Sequence, residues 1–183
     1  MSLRRFALLC TSALLTASLF SACNTQPAAP MDVVAQVELQ RYLGRWYEIA
    51  LIPNRFQAMC ASDTQAEYQL KGEQILVTNR CKRADQGIET AQGVAEVVPQ
   101  SNNAKLRVSF FRPFYGNYWI LALDPDYQWV LVGEPGRQYG WVLSRTPQLS
   151  DALMQNIWQK AEQAGYQRTQ FRTSLQTQAM SPK

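Results

Sequence analysis

The chain has 183 residues, with 18 Lys and Arg against 14 Asp and Glu, no His, and a formal charge of +4. So small a basic bias does not point to nucleic acid. Without His, neither a Ser-His-Asp nor a Cys-His nucleophile can be assembled, and a zinc site loses its usual nitrogen ligand. No P-loop, GxGxxG or HExxH motif appears, so any catalysis falls to carboxylates, Lys, Tyr or a bound cofactor.

The first element is a leader. Arg4 and Arg5 precede the apolar run FALLCTSALLTASLF, which ends in Ser21-Ala22. The run is too short for a membrane span and lacks a stop-transfer pattern, so residues 1–22 read as a secretory signal. Cys23, directly after the small residues, resembles the cysteine of a bacterial lipobox, which is diacylated and becomes the mature N-terminus. Phe20 stands where that motif usually has Leu. An ordinary cleaved leader with an incidental cysteine is the alternative. Asn24 is not the Asp that resembles an inner-membrane retention signal. The expected location is therefore the outer membrane, with the domain facing the periplasm. Residues 23–36, rich in Pro and small side chains, read as a flexible tether.

Of the four cysteines, Cys10 leaves with the leader and Cys23 is assigned to lipid. Cys60 and Cys81 remain as an even pair in an oxidising compartment, so a disulfide is the default and two free thiols the alternative. Two thiols and no His make a metal site a poor reading, and no metal or cofactor is expected.

From residue 44 the sequence breaks into eight short runs rich in aromatic and β-branched residues: 44–51, 63–71, 74–83, 88–98, 104–112, 117–124, 127–133 and 138–145. Turn residues separate them, the pattern of an antiparallel sandwich or barrel. Alternation gives each run one apolar face: Ala66, Tyr68 and Leu70; Ala91, Gly93, Ala95 and Val97; Leu106, Val108 and Phe110. One strand offers small residues and others offer large ones, as in a closed barrel with room inside. Eight strands make a barrel wide enough for one small ligand. A helix follows, with Ser150 as N-cap, Leu149 as staple and Gly165 at C′. Its stripe of Leu153, Ile157, Trp158, Ala161 and Ala164 predicts packing on the outside of the barrel. A short strand, RTQFRTSL, comes last. The domain is set at 37–175 and the tail at 176–183.

Three segments then carry a resemblance: GRWYEIA, LDPDYQWVLVG and YGWVLSRTP, joined by FFRPFYGNYWILALD. In that order they resemble the three motifs of the lipocalin family, in particular its bacterial outer-membrane lipoprotein members and the apolipoprotein D-like branch. The likeness runs from about residue 38 to 172. It implies an all-β fold, an eight-stranded up-and-down barrel with one C-terminal helix outside. It implies that Gly44 permits a sharp entry into the first strand, that Trp46 plugs the closed floor, and that Arg145 lies across Trp46.

The ligand site is then expected above that floor. Parity points inward at Ala66, Tyr68, Val77, Asn79, Phe110, Tyr118, Ile120, Val130, Tyr139 and Trp141. Tyr68, Asn79 and Trp141 match positions that line the pocket in the apolipoprotein D branch. Asn79 stands out because an inward amide needs a partner. The resemblance implies a fatty acid, lysophospholipid or similar amphiphile, held for storage or transport in the envelope. Arg55, Arg83 and Arg112 are candidates to meet an anionic head group. A lipocalin-fold enzyme and a structural envelope lipoprotein are the alternatives. Phe114, Tyr115 and Trp129 are expected to be exposed, as a homodimer patch or a membrane-facing rim. Cys60 and Cys81 fall close together across the hairpin that joins the second and third strands.

Overall fold

The computed structural model describes residues 30–177 apart from residue 73. The leader, Cys23 with its proposed acyl group, and residues 178–183 lie outside that range.

Eight antiparallel strands follow in chain order: β1 (Gly44–Leu51), β2 (Cys60–Lys71), β3 (Gln74–Arg83), β4 (Ile88–Val97), β5 (Lys105–Phe111), β6 (Phe114–Leu123), β7 (Trp129–Gly133) and β8 (Gly140–Ser144). Each pairs with the next. β1 then pairs with both β8 and β2 and closes the barrel. Closure removes the free sheet edges, so every strand has a neighbour on both sides. A one-turn helix, α1 (Leu39–Tyr42), precedes β1, and α2 (Asp151–Gln163) and the two-residue β9 (Arg172–Thr173) follow β8. The expected eight strands and helix are present. The β5–β6 connection is tighter than expected, because Phe111 pairs directly with Phe114.

Two apolar clusters form on opposite faces of the same sheet. Inside the barrel lie Trp46, Tyr68, Val77, Leu106, Ile120 and Val130 with their neighbours. Outside it, Ile157, Trp158 and Ala161 of α2 cover Ile49, Leu131 and Val142. The Ser150 hydroxyl accepts from Leu153 N and caps α2. At the other end, Gly165 N donates to Glu162 O and Tyr166 N to Ala161 O, a Schellman closure.

Three sequence-based expectations are corrected. Trp129 is buried at 6% exposure rather than presented at the surface. All five residues of β7 are buried, since the barrel core covers one face and α2 the other, so alternation carries no signal there. Residues 31–36 are not free tether. Met31 is buried against the outer cluster, Val34 N donates to Ile120 O, and Asn102 Nδ2 donates to Ala35 O. The packed chain also runs past residue 175: Gln176 Nε2 donates to Glu48 O and Thr64 O, and Thr177 N to Asp63 Oδ1.

Candidate functional site: a barrel filled below and open above

The two ends of the barrel differ. At the closed end Gly44 adopts φ +88, a conformation that strains any side chain, and this lets α1 turn under the barrel into β1. Trp46 is fully buried, and its indole Nε1 donates to Tyr42 O at 2.8 Å. The Arg145 guanidinium lies 3.7 Å from the centroid of the Trp46 ring. It donates to the carbonyls of Arg41 (2.7 Å), Tyr42 (3.2 Å), Leu43 (2.9 Å), Arg45 (2.7 Å) and, through Nε, Tyr127 (3.3 Å). One planar fork thus ties the α1–β1 turn to the end of β8, which a lysine's point charge does not do.

In the same inner core, three hydroxyls meet. Tyr42 and Tyr118 share a hydrogen bond of 2.7 Å, and Tyr68 donates to Tyr118 at 2.9 Å. Burial pushes the Tyr68 hydroxyl up to about 12 and raises Tyr42 and Tyr118 well above the ordinary tyrosine value. All three are neutral donors and acceptors. Ala66, Val77, Ile120 and Val130 pack in the same core and are buried.

Higher up, positions that face inward keep exposure. Asn79, Val77 and Ile75 of β3 pair in unbroken register with Ala91, Gly93 and Ala95 of β4. Ile75, Val77 and Ala95 belong to the inner core, so Asn79, Ala91 and Gly93 share their face. Yet Ala91 is exposed, and Asn79 and Gly93 are partly so. Gly116, which pairs with inward Val108, is exposed as well. The inner face of the upper barrel is therefore open to solvent. Phe110 lies close to Gly93: a Cβ there would stand 2.5 Å from Ser109 O and 2.8 Å from the Phe110 ring, and the fixed carbonyl leaves room only for glycine. Asn79 Oδ1 is buried with no hydrogen-bond partner among the described residues. Tyr139 and Trp141 stack at 6.2 Å on the opposite side, and Phe56 approaches Tyr139 at 6.2 Å.

A polar chain that the sequence reading missed crosses this mouth. Trp141 Nε1 donates to Gln57 Oε1 at 2.9 Å, and Gln57 Nε2 donates to Glu48 Oε2 at 2.6 Å. Ser174 Oγ donates to the other Glu48 oxygen at 2.6 Å. Burial raises the Glu48 carboxyl above its ordinary value, and the bonds from Ser174 and Gln57 offset part of that rise. Gln57 thereby pins the β1–β2 loop to the barrel wall. Parity with Trp46 was the available signal for Glu48; nothing local pointed to Gln57. A cleft of ≈ 460 Å³ beside this loop is lined by Leu51, Asn54, Arg55, Gln57 and Arg172 among others. Arg83 is held by Asp85 at 2.6 Å, whereas Arg55 and Arg112 form no salt bridge among the described residues. Cys60 and Cys81 are joined in a disulfide at the base of that loop.

Comparison with known proteins agrees with this architecture. The sequence profile of the lipocalin-like domain matches residues 37–176. The chain belongs to the lipocalin family. It is 39% identical to the outer membrane lipoprotein Blc of Escherichia coli over 158 residues, covering 85% of this chain and 89% of that protein. It is 40% identical to temperature-induced lipocalin-1 of Arabidopsis thaliana, covering 74% and 77%. Apolipoprotein D of Rattus norvegicus is 35% identical, covering 67% of each chain. Among solved structures, insecticyanin from the tobacco hornworm Manduca sexta superposes with a TM-score of 0.65 at 19% identity, covering 79% of this chain and 84% of that one. Lobster apocrustacyanin A1 gives 0.63 at 18%, covering 76% and 80%. At those identities the structures speak for the fold alone. Among the described residues no group of His, Cys, Asp and Glu is arranged to hold a metal ion, and no helix is long and apolar enough to cross a membrane.

Proposed function

We propose that this lipocalin binds a small amphiphile in the upper half of its barrel, with an acyl chain inside and a polar head at the rim. One observation carries the reading. Inward-facing Asn79, Ala91, Gly93 and Gly116 keep exposure above a level that Tyr68, Tyr118, Ile120 and Val130 fill completely. A hollow lined by apolar and aromatic groups with a few placed polar ones suits a small apolar ligand. Phe110, Tyr139 and Trp141 supply apolar wall, and each buried CH₂ of the ligand contributes about 0.8 kcal/mol. Asn79 Oδ1 offers an unused acceptor within that wall. Arg55 and Arg172 on the rim cleft suit the carboxylate or phosphate of a fatty acid or lysophospholipid.

The likeness to outer membrane lipoproteins supports a place in the cell envelope. There the chain would be held by acylated Cys23 at the outer membrane, facing the periplasm, and would store or carry lipid. Native mass spectrometry of residues 24–183 purified from bacterial envelope, with lipid extraction alongside, tests the reading. The expected result is one fatty acid or lysophospholipid per chain. An empty chain whose tryptophan fluorescence is also unmoved by palmitate and lysophosphatidylethanolamine would overturn it.

A further inference from the structure

The large hydrophobic side chains left in water are not evenly spread. Among the described residues Phe56, Met59, Ile88, Phe110, Phe111 and Phe114 stand at the open end, on the β1–β2 loop, the start of β4 and the β5–β6 tip. Leu70 stands at the closed end and Leu175 beside the β1–β2 seam. Phe111, Phe114 and Phe56 are 78%, 72% and 63% exposed, too much for walls of the hollow. Phe111 pairs with Phe114 at the tip of its hairpin, so the two stand side by side on the last rung of the ladder.

Each aromatic tip carries an arginine. Arg112 lies in the turn between Phe111 and Phe114, and the Arg55 guanidinium sits 4.9 Å from the centroid of the Phe56 ring. Neither forms a salt bridge among the described residues. Arg83, on the same rim, is engaged by Asp85 and Glu89. The rim therefore presents apolar points with positive charge beside them that no salt bridge among the described residues engages.

We propose that this rim docks onto a bilayer surface carrying anionic phospholipid. Phe56, Phe111 and Phe114 enter the boundary between head groups and acyl chains, and Arg55 and Arg112 meet phosphates. Aromatic and aliphatic side chains flanked by cations are the composition that the membrane interface accepts. A second copy of the chain is a poorer occupant. A two-fold interface sets a patch against itself, which brings these arginines toward their own kind and seals both mouths. Docked on lipid, the hollow opens onto the acyl layer, and a chain passes between bilayer and barrel without crossing water. The docking needs no ligand in the barrel, so its test is separate from that of the binding reading.

The test floats residues 24–183, which include the whole closed barrel, with vesicles of phosphatidylcholine alone or mixed with phosphatidylglycerol. The expected result is stronger partition into the mixed vesicles, weakening as salt rises. Phe111→Ser and Phe114→Ser each lower the partition coefficient about tenfold, Arg112→Gln flattens the salt dependence, and Leu70→Ser changes neither. Far-ultraviolet circular dichroism is expected to stay unchanged in all four, since the residues are exposed. Absence of partition in the unmodified chain overturns the proposal, as does an equal loss in Leu70→Ser. A dimer in sedimentation that Phe111→Ser dissolves overturns it too, by giving the rim to a second copy.

Discussion

Replacing Arg145 by Met separates the stability of the closed end from the chemistry of the open one. Met keeps an unbranched apolar stem over the Trp46 ring and removes the charged fork. The guanidinium meets five carbonyls: one through Nη1, three through Nη2, which has two hydrogens to give, and Tyr127 O through Nε at a long 3.3 Å. That amounts to three short charge-assisted bonds and one long, weak one. At the half-buried edge of the barrel each short one is worth about 1 kcal/mol rather than its buried maximum. The contact with Trp46 at 3.7 Å adds about 1 kcal/mol. Allowing for water reaching the freed carbonyls, a loss of about 3 kcal/mol follows, or about 10 °C in Tm for a domain of this size. Arg145→Lys keeps the charge over the ring without the fork and recovers about a third of that. Urea unfolding followed by circular dichroism measures the loss, and calorimetric titration with palmitate measures the site. Affinity is expected to stay constant, since the carbonyls that Arg145 meets stand at the closed end of the barrel. A loss below about 1 kcal/mol refutes the ledger. So does a tenfold drop in affinity at unchanged stability, which would place Arg145 in the site.

Trp141→Ala is expected to leave the unfolding midpoint within a few degrees and to weaken palmitate binding at least tenfold, about the worth of an aromatic wall; collapse of the fold would make Trp141 a core residue. Glu48 has a folded pKa above its ordinary value, so the folded state holds its proton more tightly than the unfolded chain. Its contribution to stability is therefore greatest at acid pH and falls as pH rises from the ordinary value of 4.5 through the raised one. The stability of the unmodified chain minus that of Glu48→Gln should decline across that window and then level, and a pH-independent difference between pH 4 and 8 sinks the assignment. Converting both Cys60 and Cys81 to Ser opens a loop with a sequence separation of 21 and is expected to cost about 3 kcal/mol in urea unfolding. No change in midpoint there would mean that the β2–β3 ladder alone holds the loop.

The barrel was legible because its strands are short, alternate cleanly and are bounded by turn residues. β3 and β4 show this best: Ile75, Val77 and Asn79 face Ala95, Gly93 and Ala91 in unbroken register. Where both faces of a strand are covered, as in β7, the alternation vanished and Trp129 was misplaced. Residues 31–36 have no period to read. They are held by single bonds to β6 and to the β4–β5 loop, contacts that only the closed fold brings near. Parity put Asn79 and Trp141 on the inner face of the barrel. It missed Gln57, because a loop glutamine acquires a role only when Glu48 and Trp141, 93 residues apart, come within its reach.

The same sequence serves two opposed demands, and the ladder between β1 and β2 shows where they part. Gly44–Tyr47 pair directly with β2 at the closed end. Above Tyr47 the strands diverge, and the chain after α2 enters the seam: Thr173 and Arg172 pair with Ala50 and Leu51, and Asp63 N donates to Leu175 O. Backbone ladder thus gives way to side-chain bonds from Gln176, Thr177 and Ser174. Continuous ladder and the Trp46–Arg145 plug hold the floor. The buried Glu48 carboxylate stands at that junction. It ties the C-terminal segment through Ser174 and the mouth loop through Gln57 to one strand, and so couples the closure of the seam to the position of Trp141 in the wall of the hollow.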